Sequence, residues 1–481
     1  MNRRMCFYMA GQMLKLEAGL LTLPMFVSLY YNEDCFWVYP ASIAIALFLG
    51  FGLNIVFKPS SRTIYAREGF ATVALSWVLL SAVGAIPFFL SREIPSYIDA
   101  FFETVSGLTT TGSSILTDVE KLSKSILFWR SFTHWIGGMG VLVFIMAIIP
   151  SSSDRTMHLL RAEMPGPTVG KLVPKAKDTA KILYLIYIVM TIIQIIILYL
   201  GGMPLFDSIV LSFGSAGTGG FGIKADSIAS YSVFSQWVIA VFMFLFGINF
   251  NLFYLAITKK FKALLKSEEL WTYTAISVLS TIAIAVNVYP IYKNAADCAR
   301  FAAFQVSSVM TTTGYATADF NAWPEFSRGI LLMLIFIGGC AGSTAGGLKV
   351  SRVVMLFKIM KREIRRMLHP RSVKAIRFEG KTVDSATLNG VSIYFATYMC
   401  CTGVLFLIIN FEPFDIITNF TAVATCFNNV GPGFGLVGPA GNFSQFSPFA
   451  KIVLSAAMLL GRLEIYPLII TATPSTWLKR K

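Results

Sequence analysis

The chain reads as an all-α polytopic membrane protein: four helix–pore loop–helix (M1–pore loop–M2) repeats in a pseudo-fourfold arrangement, preceded by two extra N-terminal transmembrane helices. Three observations predict this. Of 481 residues, 55% are hydrophobic and 14% charged, with a mean hydropathy of +0.67, whereas soluble domains carry nearer a quarter charged residues. Apolar stretches of membrane-spanning length recur along the sequence. Four connections between them share one motif in constant register.

A bilayer core of ~30 Å needs about 20 apolar residues per helix. Stretches that qualify are 8–31, 37–57, 69–91, 128–149, 182–201, 234–257, 271–292, 328–357, 389–410 and 448–472. The N-terminus is basic then apolar without a small-residue cleavage site, so it reads as a retained first span. The spans divide the chain into a two-helix extension (1–57) and four units: 58–150, 151–258, 259–381 and 382–481.

The net charge of +15 falls in alternate loops. Lys58, Arg62 and Arg67 form one group; Arg155, Arg161, Lys171, Lys175, Lys177 and Lys181 a second; Lys259, Lys260, Lys262 and Lys266 a third. The densest run is 358–381, and the tail ends Lys479-Arg480-Lys481. By the positive-inside rule both termini are cytoplasmic. The cations therefore report topology and no nucleic-acid partner; the 358–381 run is also suited to a partner or anionic lipid. The Cys residues (6, 35, 298, 340, 400, 401, 426) show no paired metal or disulfide spacing, and His134, His158 and His369 are too few for a histidine-rich metal centre.

The outward connections read DAFFETVSGLTTTGSS (99–114), DSIVLSFGSAGTGGFG (207–222), FAAFQVSSVMTTTGYA (301–316) and TNFTAVATCFNNVGPG (418–433). Asp99 to Gly112, Asp207 to Gly220, Phe301 to Gly314 and Thr418 to Gly431 are each 13 positions apart. A helix of about ten residues is ~15 Å long, half a bilayer. Returning as extended backbone, it must be buried or line a water-filled path. Four such hairpins make a pore from one chain, with helix C-termini aimed at the axis. Thr110-Thr111-Gly112, Thr218-Gly219-Gly220, Thr312-Thr313-Gly314 and Asn429-Val430-Gly431 then offer carbonyls in place of a cation's water shell. The alternative, four ordinary polar turns, does not explain the register. The G-x-G-x-x-G at Gly217–Gly222 lacks the strand, following helix and spaced acidic residue of a dinucleotide loop.

The third M2 is broken at Gly338-Gly339-Cys340-Ala341-Gly342-Ser343-Thr344-Ala345-Gly346-Gly347, because each Gly costs a helix ~1 kcal/mol relative to Ala. Non-helical backbone at that depth must line the water path; the competing reading is a small-residue surface for close helix packing. Arg462 is ionisable in mid-span and needs partners, either backbone carbonyls or Glu464, although i,i+2 side chains diverge on a helix. Lys349 marks the end of the broken stretch. His134 reads as a packing residue, and Glu103 and Asp207 as either mouth charges or pore-helix caps, capping being favoured for Asp207.

TVSGLTTTGSS, FGSAGTGGFG, MTTTGYAT, FNNVGPGFG, HWIGGMG (134–140) and MLLGRLEIYP (458–467) resemble the Trk/Ktr/HKT family of potassium transporters, and the two extra helices resemble its TrkH branch. The resemblance implies a K⁺-selective conducting subunit of a Trk-type uptake system in the cell membrane, not an enzyme, with K⁺ as transported ion and no organic cofactor. Serine in the first repeat accompanies sodium-permeable plant members; here Gly112, Gly220, Gly314 and Gly431 are all glycine. It further implies that the loop containing Gly338, Gly339, Gly342, Gly346 and Gly347 blocks the pore and that Arg462 helps set the closed state. Implied partners are a second copy, as homodimer, and a TrkA-like cytoplasmic nucleotide-binding regulatory subunit. The alternative mechanism is a K⁺ symporter coupled to Na⁺ or H⁺.

Overall fold

The computed structural model describes residues 2–59, 65–140, 176–371 and 374–477. The first span is built of Arg3–Leu20 and Thr22–Tyr30, the second of Val38–Val56. They cross where glycines let the backbones meet: a Cβ on Gly11 would lie 2.8 Å from the Gly50 carbonyl oxygen. Asn54 fastens the crossing, donating to the Tyr8 carbonyl at 2.8 Å and accepting from Gln12 and Lys15. A lysine inside a span is thereby paired.

Each following unit has a long outer helix, a short helix and an inner helix. The outer helices are Ala66–Gly84 continued by Ile86–Leu90, Ala176–Leu200, Glu268–Asn287 and Ser385–Ile409. The short helices are Tyr97–Leu108, Leu205–Gly217, Ala295–Met310 and Ile416–Asn428. With 12 to 16 residues they run ~18–24 Å, rather longer than expected but still short of a bilayer. Side-chain oxygens of Ser96, Asn294 and Asp415 cap three of them; the second follows Pro204 and has no such cap. Apolar outer-helix side chains such as Leu200 and Leu407 stay exposed, as a lipid-facing surface requires.

The inner helices correct the expectation of ten long spans. Among the described residues six helices are long and apolar enough to cross a membrane, or seven with one bent pair. Stretch 234–257 is not one helix: Val233–Phe246 and Phe250–Ile257 meet at 94°. Gly247 weakens the ladder there, and Asn249 starts a new helix by accepting the Asn251 N–H at 3.0 Å. Stretch 448–472 is likewise split, into Pro448–Arg462 and Tyr466–Ala472, with Glu464 and Ile465 at φ of 54° and 68°. Arg462 is thus at a helix end rather than mid-span. The third inner helix is Glu325–Ile337, resuming as Val350–Leu368. The first is Lys124–Gly138; the expected remainder of that span, the basic loop before residue 176, Arg62 and the Lys479–Lys481 tail lie outside the described residues. On the cation-rich side, Arg377–Phe378 and Lys381–Thr382 form a small antiparallel hairpin.

Candidate functional site

The four short helices end alike. The Thr111, Gly219 and Thr313 N–H groups each donate at 2.8 Å to the carbonyl five residues back, and Val430 does so at 2.9 Å. This is the Schellman closure of a helix C-terminus. It puts Thr110, Thr218, Thr312 and Asn429 in the left-handed region, at φ of 55–57°. For residues with a Cβ that conformation costs ~1–2 kcal/mol, so it persists only where the surroundings enforce it. Two positions on, Gly112, Gly220, Gly314 and Gly431 have φ of 81°, 78°, 85° and 95°.

These glycines close a ring. A Cβ on Gly112 would lie 2.1 Å from the Gly219 carbonyl oxygen, and one on Gly220 1.8 Å from that of Thr313. One on Gly314 would lie 2.3 Å from the Val430 oxygen, and one on Gly431 2.8 Å from that of Thr111. Each repeat thus abuts the next and the fourth returns to the first. The same probe position on Gly112 is 3.7 Å from the Thr313 oxygen, diagonally across, so the bore is narrow. All four glycines also line one cavity of about 180 Å³, whose wall includes Arg130 and Lys224. Asn429, standing where the other repeats have threonine, ties the ring sideways: its amide donates to the Thr111 hydroxyl and the Met458 carbonyl, both at 2.9 Å. Asn is among the residues that most readily enter the left-handed region.

Residues 338–349 lie directly beneath. The Gly346 N–H donates to the Thr312 hydroxyl at 2.6 Å, and a Cβ on Gly346 would lie 2.3 Å from the Asn428 carbonyl oxygen. The bend of the second inner helix supports this stretch, with Cys340 N–H donating to Gly247 O at 2.9 Å and Phe250 N–H to Gly342 O at 3.0 Å. Gly338, Gly339 and Gly346 are buried, Gly342 and Gly347 half-buried. Arg462 donates to the carbonyls of Thr344 at 2.8 Å, Gly137 at 2.5 Å and Gly138 at 2.7 Å. It therefore joins the fourth inner helix to the first and third. Glu464 is not its partner: that carboxylate pairs with Arg352 at 2.6 Å. Lys349 is buried, its amine donating to the Ala345 carbonyl.

Two assignments need correction. Glu103 is neither a mouth charge nor a cap. It is buried within the first short helix and accepts from the Ser114 hydroxyl at 2.9 Å, the Ile115 N–H at 3.0 Å and Arg130 at 2.6 Å. Arg130 lies in the cavity wall, over the Phe221 ring, and donates to Gly222 O at 2.9 Å. The pair thus braces the first strand of the ring against the second. Asp207 makes no capping bond; it sits in the first turn of its helix and accepts from the Tyr231 hydroxyl at 2.9 Å. His134 packs under Phe221, ring centroids 4.2 Å apart. Glu103→Ala would strand a buried guanidinium, so a loss of ~3–5 kcal/mol of stability is expected, with Glu103→Gln milder. A thermal melt of purified protein in which the alanine variant matches wild type would rule out the brace.

Comparison with known proteins follows from this geometry. The Trk system potassium uptake protein TrkH of Salmonella typhimurium is 37% identical over 487 residues, spanning 99% of this chain and 100% of that protein. TrkG of Escherichia coli strain K12, also named a Trk system potassium uptake protein, is 35% identical over 98% of each. The crystal structure of the potassium transporter TrkH from Vibrio parahaemolyticus superposes with a TM-score of 0.89 at 32% identity, covering 99% of this chain and 100% of that one. Residues 39–481 match the family described as TrkH, cation transport protein. With the four-repeat ring, the two leading helices and a family match over nearly the whole length, the chain belongs to the TrkH family of cation transport proteins.

Proposed function

We propose that the chain is the potassium-selective, ion-conducting subunit of a Trk-type K⁺ uptake system, a transporter and not an enzyme. The closed ring of the Thr111, Gly219, Thr313 and Val430 carbonyls carries this reading. Four short helices aim their negative ends at that ring, and fixed carbonyls there replace the hydration shell of a monovalent cation. Thr110–Gly112, Thr218–Gly220, Thr312–Gly314 and Asn429–Gly431 act as the selectivity filter. The relatives' names supply the ion. Residues 338–349 act as the gate, since they fill the path beneath the filter, and Arg462 latches them to two neighbouring inner helices.

Five parts, 1–57, 58–150, 151–258, 259–381 and 382–481, serve as the working division of the chain. Both termini and the basic loops face the cytoplasm of a cell whose plasma membrane the protein crosses. The chain works as a homodimer with a TrkA-like nucleotide-binding subunit, for which the basic 358–381 segment and the 151–181 loop are the docking faces. Potassium and sodium flux into liposomes carrying the protein, with and without that subunit, tests the reading. Potassium flux well above sodium, altered by the subunit, is expected. Equal flux of both ions would sink the filter assignment, and K⁺ flux that requires a Na⁺ or H⁺ gradient would replace conduction by coupled symport.

A further inference from the structure

The third outer helix fastens the 338–349 stretch from outside the pore. Glu269, second residue of Glu268–Asn287, is buried, and its Oε1 accepts the Ala341 N–H at 2.7 Å and the Ser351 N–H at 3.1 Å. Ala341 lies near the start of the stretch; Ser351 is the second residue of the helix that follows it. That helix has no cap of its own. Lys349, at the cap position, carries no side-chain acceptor and makes no capping bond. Glu269 supplies the missing cap from another helix and sets negative charge against the positive end of the dipole.

Glu269 is itself held from outside the membrane. Its N–H and the Ser267 hydroxyl both donate to Glu379 Oε1, each at 3.0 Å. Glu379 is exposed at the turn of the Arg377–Thr382 hairpin. The hairpin is also tied to this region through Lys358, which donates to the Arg377 carbonyl at 2.7 Å and pairs with Glu268. Two carboxylates in series thus connect an exposed hairpin to both ends of the stretch beneath the filter.

We infer that Glu269 is a positioning residue of the gate, pinning both ends of 338–349, and that Glu379 makes this setting depend on the position of the cytoplasmic hairpin. The inference rests on the reading of 338–349 as the gate. A displacement of the hairpin withdraws Glu379 from the helix start, which frees Glu269 to move and releases Ala341 and Ser351 together.

Potassium and sodium flux of the full chain in liposomes tests this. Hydrogen bonds to a charged group are worth enough that Glu269→Ala should raise K⁺ flux by about tenfold, with the K⁺/Na⁺ ratio unchanged because the filter is untouched. Glu269→Gln, which keeps an acceptor oxygen, should rise by no more than about threefold. The surface change Glu379→Ala should raise flux a few-fold, and the double variant should not exceed Glu269→Ala, since the two act in one path. Wild-type flux in folded Glu269→Ala and Glu379→Ala overturns the inference; if the former does not fold, Glu269→Gln and Glu379→Ala decide. Deletion of residues 343–345 separates the two readings. Unchanged flux there removes the gate, whereas raised flux there with no effect of Glu269 or Glu379 removes only their role.

Discussion

Serine at position 112 is expected to lower K⁺ over Na⁺ discrimination by at least about tenfold, the effect of ~1.4 kcal/mol of differential ion binding. Two causes act together. Gly112 has φ of 81°, which residues with a side chain rarely adopt, and its Cβ would lie 2.1 Å from the Gly219 oxygen. That oxygen is backbone, so it can yield only by moving the second filter strand. The displaced carbonyl then no longer matches a dehydrated K⁺. The four positions should rank by their clearance: a Cβ on Gly431 would meet the Thr111 oxygen at 2.8 Å against 1.8 Å at Gly220, so Gly431→Ser should do least. Flux ratios measured on folded variants check this. A ratio for Gly112→Ser equal to wild type would count against the filter register, and a reversed ranking against the ring contacts.

Arg462→Ala is expected to raise basal K⁺ flux by on the order of tenfold or more and to blunt its regulation. Three carbonyls, on Thr344, Gly137 and Gly138, share this guanidinium, and hydrogen bonds to charged groups are worth ~1.5–3 kcal/mol each. Because one donor set spans three inner helices, its loss unlatches the gate at its centre. Arg462→Lys keeps the charge but loses the planar fork, so it should recover only part of the wild-type restraint. Flux and regulation both unaltered in Arg462→Ala would make the residue architectural.

Much of this is legible in the sequence. The 13-residue spacing exposed four hairpins because a repeat under one geometric demand keeps its register, and the structure places those segments around one axis. The glycine-rich 338–347 stretch announced a broken helix through propensity alone, although the break runs on to Lys349. Breaks in the second and fourth inner helices were not legible. Stretch 234–257 is largely apolar, its Gly247 and Asn249 are compatible with a continuous span, and nothing local shows that Gly247 O is claimed by Cys340, almost a hundred residues on. Glu103 misled for a similar reason. Its sequence neighbours suggested a helix cap or a pore mouth, whereas its partner, Arg130, comes from another helix. Glu269 resembled an ordinary acidic first turn; its hold on Ala341 exists only in the folded molecule.

Because all four quadrants belong to one polypeptide, they are free to differ. In the proposed reading, and among the described residues, the third carries the stopper and the fourth the arginine that secures it. Four identical subunits would bring four stoppers to an axis with room for one, and four guanidiniums whose mutual repulsion nothing there offsets. Covalent linkage therefore lets a symmetric sieve be governed by an asymmetric closure, and a single inherited substitution strikes one quadrant of the sieve instead of all four.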